Sequence, residues 1–99
     1  MPFDIKIQPE VKSDIQEAVN WYNEQEKSIG GQFFTSVQDH IERLETNPFF
    51  HLRYDNVRCM PMKKFPYIIH FTVDEAKNQV TIHGVLSTHR DPKIWEKRL

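Results

Sequence analysis

The chain predicts an α+β fold in which two helices form an αα-hairpin on one face of a mainly antiparallel sheet. Three observations predict it. A short run near the N-terminus alternates apolar and polar residues. Two amphipathic stripes of helical period follow. The second half then returns to a period of two and is rich in β-branched and aromatic residues. Taken in order, these read as β-α-α-β-β-β with a short C-terminal helix, in one domain over residues 1–99.

Each element has its own signal. Phe3, Ile5 and Ile7 alternate with Asp4 and Lys6, the pattern of a strand with one buried face. Pro9 and Glu10 open the first helix, proline at its tolerated first-turn position and an acid at the positive end of the dipole. Val11, Ile15, Ala18, Val19 and Tyr22 share one face of it, with Trp21 on the shoulder. Gly30 and Gly31 read as a break between helices. Phe33, Phe34, Val37, Ile41 and Leu44 make the second stripe, which stops at Asn47-Pro48. The expected helices span about residues 9–26 and 30–46, burying Ile15, Val19, Phe34, Val37, Ile41 and Leu44.

The β half follows. Residues 57–62 predict a strand whose Pro61 favours an edge or an irregular end. Phe65, Tyr67, Ile69, Phe71 and Val73 alternate with Pro66, Ile68, His70 and Thr72, and the aromatics among them read as core. Glu75 to Asn78 is a polar turn. Val80, Ile82, Gly84 and Leu86 continue on the far side. If Val73 pairs with Val80, His70 stands opposite His83 on one face.

Composition bounds the function. Hydrophobic residues are 38% and charged residues 27% of the 99, ordinary for a globular domain. The formal net charge is -1 and the sequence pI about 6.5, which argues against broad, non-specific nucleic-acid binding. A single cysteine, Cys59, fits a reducing cytoplasm, and no signal peptide or membrane-spanning run is visible. His70 and His83 lack a third ligand, so no metal or cofactor is expected.

The residues Ala18-Val19-Asn20-Trp21-Tyr22, Gly31-Gln32-Phe33, Leu44 with Asn47-Pro48, Val57-Arg58, Phe65-Pro66-Tyr67 and His89-Arg90-Asp91-Pro92 with Trp95 resemble the RelE/ParE toxins of type II toxin–antitoxin modules. The resemblance covers nearly the whole chain. It implies a growth-inhibiting, plasmid-stabilisation-type toxin neutralised by a cognate antitoxin protein, with the same order of elements.

The family divides by target. Ribonucleolytic members place lysines before the central hairpin, an arginine just after that hairpin's tyrosine and a tyrosine near the C-terminus. Here those positions hold Cys59, Pro61, Ile68 and Trp95. An indole N–H is no acid near neutral pH, and Ile68 holds no phosphate. The chain is more similar to the ParE-like branch, which implies a toxin that binds DNA gyrase without a catalytic set. The alternatives are a ribosome-dependent mRNA endoribonuclease using His89, Arg90 and Arg58, and an inactive antitoxin-binding relative. Candidate target- or antitoxin-binding residues are Arg58, Lys64, Arg90, Trp95 and Arg98: arginine anchors carboxylates and phosphates bidentately, and tryptophan anchors interfaces.

Overall fold

A computed structural model describes residues 2–89, so the short helix expected after Pro92 lies outside the described residues. The elements are β1 (Asp4–Ile7), α1 (Pro9–Gln25), α2 (Ile29–Arg43), β2 (Leu52–Tyr54), β3 (Val57–Pro61), β4 (Tyr67–Asp74) and β5 (Gln79–Ser87). The sheet order is β1-β5-β4-β3-β2; β1 runs parallel to β5 and the other pairs are antiparallel. The expected α+β arrangement is therefore present, with one strand more than the sequence reading supplied. That strand, β2, is three residues long and joins β3 through Asp55-Asn56. It has no alternation long enough to read, and its turn shows itself only as Asp55 at φ 46°.

The core lies between the hairpin and the sheet. Val11 and Ala18 of α1 and Phe33, Val37 and Leu44 of α2 meet Met60, Ile69, Phe71, Val80, Ile82 and Val85. Tyr22, Phe33, Phe65 and Tyr67 form an aromatic knot with centroid separations of 4.9–5.4 Å for the closest pairs. Fully burying a ring, as at Phe33, contributes about 1.5–3 kcal/mol, and the knot ties the β3–β4 loop to both helices.

Four expectations change. Phe34 is 45% exposed, because its neighbour Phe33 takes the core slot. Ile15, Val19 and Ile41 are half-buried, while Val37 and Leu44 are buried as expected. Trp21 is 53% exposed and stands edge-on to Tyr22, outside the core. Gly30 and Gly31 lie inside the first turn of α2, not between the helices. Gly30 is where the helices approach closely: a Cβ there would fall on the Asn23 side chain, whose Oδ1 accepts the Gly30 N–H at 3.0 Å.

The pairing of Val73 with Val80 is as expected, yet His70 does not face His83. A bulge intervenes: Phe71 pairs with Ile82 and His70 with Gly84, so His83 is the extra residue. The bulge shifts the alternation by one. Val80, Ile82 and Val85 therefore share the helix-facing side, and Leu86 joins Cys59 and Ile68 in a smaller cluster on the opposite face. A strict period of two had placed Gly84 and Leu86 with Val80.

Candidate partner-binding site

The exposed apolar surface of the hairpin is a groove of about 470 Å³ on the outer side of α1 and α2. Ile15 and Val19 come from α1 and Phe34 from α2, with Lys12 and Gln16 on the rim. Gly31, which has open space where a Cβ would stand, keeps the trough open at the α2 end. Asn23 takes the role that a hydroxyl N-cap normally has, since Ser28 makes no side-chain cap bond. An apolar trough between two helices, rimmed by polar side chains, suits the apolar face of an amphipathic helix.

A second recess lies where β5 outruns β1. β1 covers β5 only from Gln79 to Ile82. Beyond it, the Val85 N–H is taken by Asp14 Oδ2 of α1 at 3.2 Å, which fills the edge position that a neighbouring strand would occupy. Asp14 is buried between Val11 and Ala18 at helical spacing, so an acid on the apolar stripe was its one sequence signal. Beside it, Trp21, Tyr67, Ser87 and exposed His89 line a cleft of about 300 Å³.

The face of the sheet away from the helices carries Tyr54, Cys59, His70, Thr72 and His83. His70 is buried, with Nδ1 3.4 Å from Cys59 Sγ and 3.3 Å from the Tyr54 hydroxyl. Burial pushes the Cys59 thiol up, only partly offset by Arg53, so it stays protonated and unreactive near neutral pH. His83 Nε2 lies 2.9 Å from Thr72 Oγ1, and burial pushes its pKa below the ordinary 6.5, against a smaller opposing effect of Glu10. Among the described residues no group of three or more His, Cys, Asp or Glu side chains comes together as a metal site.

The candidate residues separate. Arg58 faces the helix side, where Nη1 donates to the Phe50 carbonyl at 2.6 Å and the guanidinium stacks 5.5 Å from the Phe49 ring centroid. Those contacts hold the 48–51 segment, an intramolecular role the sequence did not disclose. Arg58 pairs with Phe71, while Ser87 pairs with Tyr67 on the other side of β4. Arg58 and Ser87, two residues before His89, are thus four residues of β4 apart, about 13 Å along the strand, on the two strands that flank β4. Arg58 and His89 do not form one site. Lys64 sits in the β3–β4 loop at the Tyr67 end with φ 74°. Arg90, Trp95 and Arg98 lie outside the described residues.

His40, which the apolar stripe did not predict as core, is 4% exposed. Its Nδ1 lies 2.6 Å from the Ser36 carbonyl, and its Nε2 accepts the Lys63 N–H at 3.2 Å. A carbonyl only accepts and an amide N–H only donates, so the neutral tautomer with its proton on Nδ1 satisfies both. It clamps the β3–β4 loop to α2.

No family model and no curated protein matches this chain. Among the described residues no helix is long and apolar enough to cross a membrane. Among solved structures, the chain is similar to a chain of the chromosomal ParDE TA system from P. aeruginosa. The TM-score is 0.77 at 11% identity, over 86% of this chain and 95% of that one. At that identity the likeness establishes a shared fold: two helices packed on a mixed five-stranded sheet.

Proposed function

We propose that this protein is the toxin of a type II toxin–antitoxin module, acting in the cytoplasm and held inactive by an antitoxin. The observation that carries this reading is the near-complete fold likeness to a chain of a ParDE TA system. The Ile15–Val19–Phe34 groove supports it, because it offers an amphipathic helix of an antitoxin an apolar seat. Within that class the ParE-like reading is favoured, with DNA gyrase as target. Its support is chemical. The chain has Cys59, Pro61 and Ile68 where RNA cleavage wants cations, and Arg58 is engaged with Phe50 about 13 Å up the sheet from the His89 end.

The test is induced expression in a bacterial host. Filamentation with a DNA-damage response is the expected outcome, relieved by co-expressing a cognate antitoxin. His89→Ala should stay toxic, whereas Arg90→Ala with Trp95→Ala should not, provided circular dichroism shows both folded. A translation block with cut transcripts, abolished by His89→Ala, would establish the endoribonuclease instead.

A further inference from the structure

α2 has a third face besides its core stripe and the Phe34 shoulder. Ser28, Gln32, Ser36, Asp39 and Arg43 recur every three or four residues and so lie in one row. The row is about 22 Å long at 1.5 Å per residue. Its small hydroxyl and amide side chains leave a groove of about 650 Å³ between α2 and Lys64-Phe65 of the β3–β4 loop. Arg43 also borders an adjoining groove of about 420 Å³ whose far wall includes Lys63. Arg43 thus borders both grooves, with Lys64 on the wall of the larger and Lys63 on the wall of the smaller.

Two features mark these cations. Among the described residues, none of the three has a side-chain ion pair. The backbone also holds Lys64 at φ 74°, a region that disfavours any residue with a Cβ. The loop that presents it is clamped by His40 to the Lys63 N–H, by the Met62 N–H to the Tyr67 carbonyl at 2.9 Å, and by the Tyr67 N–H to the Phe65 carbonyl at 2.8 Å.

We propose that this groove binds an acidic, extended segment of a protein partner, whose carboxylates meet Arg43, Lys63 and Lys64. Its chemistry favours a peptide over a nucleic acid. Asp39 lies in the same groove and can only accept, and a phosphate backbone, which offers acceptors alone, gives it no partner. A peptide brings both N–H donors for that row and carboxylates for the cations. About seven extended residues span the row. The surface is also continuous with the hairpin groove through Gly31, which borders both and has open space where a Cβ would stand. A partner helix seated on Phe34 can thus continue over Gly31 into the polar groove; the identity of that partner rests on the antitoxin reading above.

Fluorescence anisotropy on the full chain tests this with a labelled peptide of about eight residues alternating Glu and Ser, long enough to span the row. The same peptide with Lys for Glu is the control, and a single-stranded RNA of similar length is the competing class. The Glu peptide should bind, more weakly as salt rises, and the Lys peptide should not. Arg43→Gln with Lys64→Gln should weaken binding about tenfold or more, the size of a lost charge-assisted contact. Lys64→Gly, which suits the positive φ, should weaken it by a smaller factor without unfolding the chain. Equal binding of both peptides, unchanged affinity in either folded variant, or RNA binding tighter than the Glu peptide overturns the proposal. Phe34→Asp should leave this probe bound while disrupting a helix seated in the hairpin groove, so the two readings fail separately.

Discussion

Adjacent glycines in the first turn of α2 have opposite roles. Gly30 abuts Asn23, whose carboxamide both blocks any Cβ and caps the helix; Gly31 faces open space. Gly30→Ala should therefore displace Asn23 and cost about 1–2 kcal/mol through the lost cap and the clash. Gly31→Ala should stabilise by about 0.5–1 kcal/mol, because alanine is the better helix former and nothing obstructs it. Urea unfolding of both variants checks this, and equal effects would refute the close-approach account. The sequence showed a Gly-Gly pair and a helix break was the obvious reading. Only the neighbouring helix decides that one glycine is required and the other is replaceable.

At the scale of the element, β5 shows how one inserted residue reorganises a strand. The bulge at His83 lets Val80, Ile82 and Val85 all face the helices, and it leaves His83 partly desolvated against Thr72. Burial lowers the His83 pKa below 6.5. Between that lowered value and 6.5 the unfolded chain binds a proton that the folded chain refuses. The contribution to stability is thus complete above about pH 6.5 and is lost as the pH falls toward the folded value. His83→Gln, which keeps a partner for Thr72 but does not titrate, should flatten this part of the profile. Thermal melts of parent and variant from about pH 7.5 to about pH 5.5 read it as a difference that grows toward acid. Parallel curves would show that His83 titrates alike in both states.

For the whole molecule, the helical layer has two sides with separate tasks. The inner side, with Phe33, Val37 and Leu44 buried, holds the fold; the outer side presents Phe34, Ile15 and Val19. Replacing an exposed residue should scarcely touch stability, while the same change at a seat for a partner helix should be costly. Phe34→Asp is expected to shift unfolding by no more than about 0.5 kcal/mol. It should weaken the complex with the neutralising partner by about 100-fold, or roughly 2–3 kcal/mol. Calorimetry on the co-expressed pair measures the second quantity. A folded Phe34→Asp protein with parental affinity would place the antitoxin elsewhere.

Local pattern by itself determined the fold class, both helices and the β4–β5 hairpin with its Val73–Val80 register. Apolar period and turn chemistry are properties of neighbouring residues and need no knowledge of the rest of the chain. The tertiary structure alone decided what depends on contacts between distant segments. Asp14 becomes a cap because β1 ends short of Val85, and His40 becomes a clamp because the β3–β4 loop folds back onto α2. Arg58 is drawn to the Phe50 carbonyl by a loop that sequence periodicity does not describe. Phe34 and Phe33 look alike in the chain, and only the packing angle of α2 sends one ring into the core and leaves the other at the surface, since a helix turns about 100° between neighbours.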